Sequence, residues 1–362
     1  MKDRTIRILY GTDGRAMARQ LLEAADAASG IPPGAGILLK PNLAVARPPE
    51  EGATTHTEIV EGVIQYLQEA GFRQIAIAEG SWIGDSTRRA FQATGLDRLA
   101  ERCGVELLDL KTDGTVRVDT PIGPMRVCRR PLEAGFLINL PVLKGHCQTV
   151  MTCALKNGKG CLPDSEKRRF HQLGLMKPIA ALAAVLRPDL TLVDSLCGDL
   201  NFEEGGNPVQ TNRLLLGADP VQLDAYCCEL LGIRPEDVGY LPLAEQYGAG
   251  RMAWRPEEIL ELNAPCPAGS GRADGRLVRS LTRSVAQDAA CSACFGSLVR
   301  ALYRYREQTG RDYTGAISIG QGFRGKLPAG LGIGRCCQGA RRCVGGCPPT
   351  AAAILKELQH GQ

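Results

Sequence analysis

The sequence has few aromatic residues and no strong excess of charge of either sign. Phe, Trp and Tyr make up only 5% of the 362 residues, so the buried core must be built from Leu, Val, Ile and Ala. Lys and Arg number 43 against 39 Asp and Glu, for a formal net charge of +4. A chain so evenly charged lacks the basic excess that attracts phosphate backbones, and we therefore expect no nucleic-acid partner.

Long apolar runs are also missing. No stretch approaches the roughly 20 apolar residues that a membrane-spanning helix needs, and the start MKDRTIRILYG lacks the apolar run of a signal peptide. We therefore expect a cytoplasmic protein with no membrane partner. Thiols stay reduced in that compartment, so the fifteen cysteines argue against a disulfide framework.

Over the first two-thirds of the chain, short aliphatic runs alternate with amphipathic stretches, which predicts an α/β fold with a mixed or mostly parallel sheet and flanking helices. Strands are expected over 5–9, 36–40, 74–78, 105–110, 136–140, 190–194 and 214–216, and a hairpin over 115–128. Helices are expected over 16–28, 59–70, 177–186, 221–231 and 351–358. Thr55 and Glu58 have capping-box spacing ahead of the helix at 59, and Asp219 stands where a helix N-cap is expected.

The Pro-, Gly- and Ser-rich stretch NAPCPAGSGRAD divides the chain. Such a composition is typical of a linker. We predict an α/β ligand-binding domain over 1–265, a linker over 266–276, and a small cysteine-rich iron–sulfur domain over 277–362.

Six of the fifteen cysteines fall in the last fifth of the chain, which indicates metal ligation. They are Cys291, Cys294, Cys336, Cys337, Cys343 and Cys347. The first two form a C-x-x-C pair, which directs two sulfurs at one centre. Structural zinc usually uses two such pairs, and only one is present, so an iron–sulfur cluster is favoured and zinc is the alternative. The spacing alone leaves open which four cysteines bind.

The corner around Cys347 is framed by two glycines before it and two prolines after it. Glycine allows close backbone approach, and proline starts the next helix in a defined direction. The segment GCPPTAAAILKEL resembles the closing segment of cluster-binding subunits in respiratory complex I and related hydrogenases, and this resemblance implies that Cys347 is a ligand.

Polar residues collect at the predicted carboxyl ends of strands, where α/β proteins bind ligands. Lysine can act as a base or covalent anchor when it is desolvated, histidine titrates near neutrality, and a free helix N-terminus suits an anion. We therefore predict a site for a small, anionic ligand, with His146, Lys156 and Lys144 as catalytic candidates. The ligand-binding candidates are Lys40, Asn42, Thr55, His56, Asn157, Lys159, His171, Asp194 and Asp224.

These motifs together resemble the family called domain of unknown function 362, whose members often carry iron–sulfur segments. The matching stretches are ILLKPNLAVARPPEEGATTH, INLPVLKGHCQTVMTCALKNGKGCLPD, LTLVDS, DPVQLDA, CSAC, GIGRC and GCPPTAAAILKEL. The resemblance implies a [4Fe–4S] cluster on Cys291, Cys294, Cys336 and Cys347, and leaves Cys337 and Cys343 without a role.

A more distant similarity is to lactate-racemase-like enzymes. In those enzymes a lysine covalently holds a nickel-pincer nucleotide, and a histidine lies ten residues before it. His146 and Lys156 have the same spacing. Ala154 and Leu155 stand where those enzymes are glycine-rich, so the similarity implies shared architecture more than a shared cofactor.

Three functions follow as hypotheses. The first is an iron–sulfur redox protein or oxidoreductase, with a partner protein that exchanges electrons; the basic residues near the C-terminus would dock an acidic partner, compensate an anionic cluster, or form a solvated face. The second is a lactate-racemase-like isomerase with a structural cluster. The third is a non-enzymatic carrier of clusters or metal.

Overall fold

The computed structural model describes residues 4–269, 273 and 275–360. Its strands are β1 Ile6–Tyr10, β2 Ile37–Pro41, β3 Ile75–Glu79, β4 Glu106–Asp109, β5 Thr115–Val118, β6 Met125–Cys128, β7 Phe136–Leu140, β8 Lys144–His146, β9 Val150–Thr152, β10 Leu190–Asp199, β11 Pro208–Gly217, β12 Ile259–Glu261, β13 Val285–Gln287, β14 Ile317–Ile319, β15 Leu331–Ile333 and β16 Arg342–Val344. Its helices are α1 Gly14–Ala24, α2 Thr57–Glu69, α3 Thr87–Thr94, α4 Leu96–Cys103, α5 Arg129–Glu133, α6 Ala154–Asn157, α7 Asp164–Gln172, α8 Met176–Val185, α9 Pro220–Leu230, α10 Tyr240–Gln246, α11 Arg276–Leu281, α12 Ser292–Thr309 and α13 Ala351–His360.

The large domain is built on an eight-stranded sheet in the order β12-β1-β11-β10-β7-β2-β3-β4. All neighbouring strands in it run parallel except β11, which is antiparallel to both β1 and β10. The sheet is therefore mixed and mostly parallel, and the predicted α/β class is confirmed.

Helices cover both faces of this sheet. Side chains alternate along a strand, so β2 sends Leu38 into one core and Ile37 and Leu39 into the other. Helices α1 to α4 close the core that holds Ile37, and α8 to α10 close the opposite one. With both faces covered, β2, β3 and β7 are buried at every position, as parallel strands usually are.

The cysteine-rich segment contains its own four-stranded parallel sheet, β13-β14-β15-β16. Helices α12 and α13 pack with it around a third core that includes Leu298, Leu302, Ile317 and Ile354. This segment therefore has a hydrophobic core of its own, which is compatible with the predicted small domain.

Most predicted elements are present with ends shifted by a few residues, and Phe136–Leu140 is a strand over the same range. Asp219 caps α9 as predicted, since its carboxylate accepts from the N–H groups of Val221 and Gln222. The capping box was wrong. Helix α2 begins at Thr57 after His56, and the Thr55 hydroxyl instead donates to Leu140 O at 2.7 Å. The Thr55 hydroxyl is bonded to Leu140, the last residue of β7, and is therefore not available to cap the helix.

The predicted linker over 266–276 includes 270–272 and 274, which lie outside the described residues. Next to them, Gly269 N donates to Gln210 O and Ala273 N donates to Leu231 O, so these residues contact the large domain. The domain boundary remains a prediction. Among the described residues, none of the helices has the length and apolar character required to cross a membrane.

Candidate functional site

The predicted polar segments meet around a cavity with about 650 Å³ of empty space. Strands β2 and β3 end at it, and α6, α7 and the start of α12 complete its walls. Its wall residues include Asn42, Glu79, Lys144, Lys156, Asn157, Lys159, Lys167, His171, Glu203 and Cys291. Seven of these ten were predicted as site residues or ligands, and Glu79, Lys167 and Glu203 were not. Their functional roles remain predictions.

Glu79 and Lys167 are two of the wall residues that the sequence reasoning missed. Glu79 is the last residue of β3. The rule that ligands bind at the carboxyl ends of parallel strands could have identified it, since a strand was predicted to end one residue earlier. Lys167 lies on α7 and donates to Gly80 O at 2.8 Å and Ser81 O at 2.9 Å, so it holds the loop after β3.

Lys40 does not line this cavity, and its ammonium group is engaged by the protein itself. Its Nζ is 2.7 Å from Glu79 Oε2, donates to Pro41 O at 2.7 Å, and donates to Asn157 Oδ1 at 3.3 Å. Both members of the ion pair are almost completely buried, at 2% and 3% exposure. The Asn42 amide also donates to Asn157 Oδ1, at 2.9 Å. This network joins the ends of β2 and β3 to α6, which carries Lys156.

Lys144 is also engaged by the protein itself. Its Nζ donates to Asn42 Oδ1 at 3.1 Å, to Glu203 O at 3.0 Å, and to Ala53 O. Burial lowers the pKa of Lys144 to about 8, against the opposing effect of nearby carboxylates such as Glu203. With three acceptors on its three N–H groups, Lys144 has little capacity left for a ligand.

In the described part of the chain, the ammonium groups of Lys156 and Lys159 have N–H groups that no protein acceptor binds. Lys156 Nζ donates to Thr152 Oγ1 at 3.2 Å, and within the described residues no acceptor is bonded to Lys159 Nζ. Burial lowers the pKa of Lys156 well below its ordinary value, and the charge of Lys159 lowers it further. Burial lowers the pKa of Lys159 to about 8, with Lys167 adding to the effect. An anion between them would relieve this repulsion.

His146 and Glu203 form a second buried pair. His146 Nδ1 accepts from the N–H groups of Gln148 at 2.9 Å and Thr149 at 3.3 Å, so a neutral ring carries its proton on Nε2. That atom lies 3.4 Å from Glu203 Oε1. Burial lowers the pKa of His146 well below its usual range, with nearby lysines as further causes, which keeps the ring neutral. His146 is not among the residues that line the cavity, and within the described residues neither its Nε2 nor Glu203 Oε1 has a hydrogen-bond partner.

His56 and Asp194 lie elsewhere. Thr55 is part of the main site through Asn42 N, which donates to its hydroxyl at 2.8 Å. The His56 ring instead lines a separate cavity and lies 2.8 Å from Asp194 Oδ2. Burial alone would lower the pKa of His56, but the Asp194 carboxylate outweighs it and raises the pKa to about 11. The predicted single cluster of ligand-binding residues is thus divided between two cavities.

Asp224 supports the site without lining it. Its carboxylate accepts from Ala154 N at 2.7 Å and Leu155 N at 3.1 Å, so it satisfies the free N–H groups at the start of α6. Burial raises the pKa of Asp224 to about 7, against the lowering effect of these two hydrogen bonds. The carboxylate on an apolar helix therefore positions the segment that carries Lys156.

The cysteine-rich segment closes the cavity. His171 Nε2 accepts from Ser292 N at 3.5 Å. The Gln148 side chain accepts from Ser292 Oγ at 2.8 Å and donates to Ala290 O at 3.1 Å. Three consecutive residues, from 290 to 292, are therefore bound by the large domain or line its cavity, and Cys291 is the central one.

Hydrogen bonding separates four of the six candidate cysteines into two pairs. Cys291 Sγ accepts from Gln321 Nε2 at 3.5 Å, and Cys336 Sγ accepts from Arg324 Nε at 3.3 Å. Cys337 and Cys343 instead direct their thiols at the carbonyls of Gly320 and Gly334. A metal-bound thiolate can only accept hydrogen bonds, so the first pair suits ligation and the second suits a protonated thiol.

The four predicted ligands also influence one another electrostatically. Burial raises the pKa of Cys291 to about 11, and the neighbouring Cys336 and Cys347 raise it too. The pKa of Cys294 is raised by burial and then by Cys291, Cys347 and Cys336. Within the described ranges, however, no three His, Cys, Asp or Glu side chains are grouped so that they could hold a metal ion. The donor set fits a thiolate-bound cluster in chemistry, and the cluster itself remains a prediction.

Comparisons with solved structures find weak likenesses. The lactate racemase apoprotein from Thermoanaerobacterium thermosaccharolyticum aligns at a TM-score of 0.41 and 14% identity, over 64% of this chain and 59% of that one. A crystal structure of a protein from Thermotoga maritima aligns at 0.39 and 14% identity, over 66% and 60%. This chain thus spans less than two-thirds of either protein.

Sequence comparisons identify a relative and a family. A thylakoid-associated protein of Synechocystis sp. is 27% identical over 232 residues, which are 62% of this chain and 71% of that protein. The family described as Domain of unknown function (DUF362) matches residues 37–229, more than half of the chain. That range contains the lysines of the cavity and ends before the cysteine-rich segment. The chain belongs to the DUF362 family.

Proposed function

We propose that this protein is an iron–sulfur redox protein in which a [4Fe–4S] cluster lies beside a binding site for a small anion. The observation that carries the proposal is that Cys291 lines the same cavity as Lys156 and Lys159. The proposed cluster ligand and two lysine side chains with unused hydrogen-bonding capacity therefore line the same cavity. When bound, the cluster supplies single electrons.

The cluster would be held by Cys291, Cys294, Cys336 and Cys347. Two of these sulfurs, those of Cys291 and Cys336, accept hydrogen bonds from side-chain N–H groups. The other three thiols also raise the pKa of Cys294, which indicates that the four lie near one another. Both observations support the proposal. Four thiolates on four iron atoms need not converge on a single point, whereas zinc would require all its ligands around one ion. The cluster is therefore preferred over zinc.

Anaerobic purification with iron and sulfide analysis tests the cluster. We expect about four iron and four sulfide per chain, as the proposed [4Fe–4S] composition requires, and a brown colour that dithionite bleaches. Serine substitution of any of the four ligands should remove most of the iron, and Cys337→Ser and Cys343→Ser are the matched controls. A colourless protein with one zinc per chain would refute the proposal.

The anion site is tested separately by calorimetry with inorganic phosphate and with oxalate. Lys156 and Lys159 would bind the anion, while Lys144 and Lys167 are occupied by backbone carbonyls. We expect the double variant Lys156→Met, Lys159→Met to lose at least tenfold in affinity, and Lys177→Met, at an exposed position on α8, to bind as the wild type does. Equal binding by all three would refute the site.

A partner protein would exchange electrons with the cluster. Residues 277–362 contain twelve Lys and Arg against four Asp and Glu, although the whole chain is nearly balanced. This excess favours an acidic redox protein. With an acidic ferredoxin as the probe, the electron-transfer rate should fall as salt is raised from 50 to about 200 mM, because screening weakens charge steering. A rate independent of salt would contradict this partner.

A second candidate is cofactor-dependent isomerisation with Lys156 as a covalent anchor. The observation that favours it is the single hydrogen bond and lowered pKa of this buried amine, which make it a better nucleophile at neutral pH. Intact-protein mass spectrometry of material purified from its native host tests it. A stable adduct on Lys156 supports the isomerase, and cluster transfer to an apo-acceptor without turnover supports a carrier instead.

A further inference from the structure

A single short turn directs N–H donors at two different cysteine sulfurs. Gln321–Phe323 is a 3₁₀ turn, and Arg324 follows it directly. Gln321 donates to Cys291 at the start of α12, and Arg324 donates to Cys336, which lies in another 3₁₀ turn. We propose that the turn from Gln321 to Arg324 raises the reduction potential of the cluster by hydrogen bonding two of its thiolate ligands. This rests on the proposed function.

The Gln321 amide is held in position from both sides. Its side chain is buried, at 7% exposure. Nε2 also donates to Arg168 O at 3.1 Å, and Oε1 accepts from Gln172 Nε2 at 3.2 Å. Both partners lie on α7, the helix that carries Lys167 and His171 to the cavity. The donor is therefore oriented before any cluster binds.

The backbone of the turn is fixed as well. Gln321 N donates to Ala289 O at 3.2 Å, and Gly322 N donates to Asp288 O at 3.1 Å. A side chain at Gly322 would require the exposed Asp288 carboxylate to move. These two bonds tie the backbone of the turn to the residues just before Cys291.

The direction of the effect follows from charge. Reduction adds one electron to the cluster and increases the negative charge on its sulfur ligands, so an N–H donor stabilises the reduced form more than the oxidised form. Gln321 acts as a buried dipole, where water does not screen it. Arg324 adds a full positive charge, but it is exposed and therefore partly screened. Removing either donor should lower the potential.

The test is a redox titration of anaerobically purified protein, followed by electron paramagnetic resonance. Gln321→Met and Arg324→Met remove the donors, Arg324→Lys keeps the charge, and Arg341→Met removes an exposed charge of the same segment. At a given solution potential, we expect the ratio of oxidised to reduced cluster to be roughly tenfold higher in each donor variant. This corresponds to a reduction potential about 59 mV lower for a one-electron couple. Arg324→Lys should recover part of it, and Arg341→Met should match the wild type.

Iron and sulfide content, measured on the same samples, separates the possible failures. Donor variants that hold a full cluster at the wild-type potential would overturn this inference and leave the proposed function standing. A wild-type chain without iron and sulfide would overturn both. For a variant that loses cluster, reconstitution and the resonance Raman Fe–S stretching frequency of the bound fraction provide the comparison, and an unchanged frequency also counts against the inference.

Discussion

The Lys40–Glu79 pair offers the most direct test of how the site is built. The sequence predicted Lys40 as a ligand-binding residue, whereas its ammonium is engaged by Glu79, Pro41 O and Asn157. In Lys40→Met, Glu79 would remain buried with only the N–H groups of Leu43 at 2.9 Å and Gly80 at 2.7 Å. Leaving one charge of a buried pair without its partner costs about 3–5 kcal/mol.

We therefore expect Lys40→Met to lower the free energy of unfolding by about that amount, measured by urea denaturation at pH 7. Removing the Glu79 charge as well, in Lys40→Met with Glu79→Gln, should recover about 1–3 kcal/mol of the loss, since directly interacting sites are not additive. Arg102→Ala is the control. Its exposed contact with Glu61, at 2.9 Å, should be worth only about 0–1 kcal/mol.

The opposite result is informative. If Lys40→Met loses less than about 1 kcal/mol of stability and instead weakens phosphate binding, the pair is not structural. Lys40 would then be a ligand contact, as the sequence predicted.

Three further predictions concern the site. The affinity for phosphate should fall as the pH rises through about 8, where Lys159 loses its charge. Calorimetry of Lys159→Gln should therefore show an affinity that depends less on pH than that of the wild type, and an equally steep dependence would contradict this role of Lys159. Gly84→Ala should reduce the amount of bound iron, because a side chain there collides with the Cys347 carbonyl. Gly71→Ala, which is also at positive φ but has open space around it, should keep its iron. Equal iron content in the two variants would contradict a role for the contact between Gly84 and Cys347. Amine-reactive labelling below pH 8 should favour Lys156, whose pKa is well below normal, and mass spectrometry showing uniform lysine labelling would refute that.

The sequence by itself determined the class of the fold and where its polar residues collect. Short apolar runs such as Phe136–Leu140 favour strands that are buried on both faces, as the strands of parallel sheets usually are, and this strand is buried at every position. Because parallel strands end at a common edge, Asn42 and Lys144 were predicted to share a site, and both line the cavity. The N-cap at Asp219 was also readable, because capping is a local interaction.

Only the tertiary structure decided which polar groups remain available to a ligand. The sequence predicted Lys40, Lys144, Lys156 and Lys159 all as site residues, but long-range hydrogen bonds occupy the first two and leave donors on the others. The same holds for the cysteines. Spacing left six candidates. Cys291 and Cys336 accept hydrogen bonds from the side chains of Gln321 and Arg324, whereas the Cys337 and Cys343 thiols donate to backbone carbonyls. Local patterns cannot encode such contacts, because the partners meet only after the chain has folded.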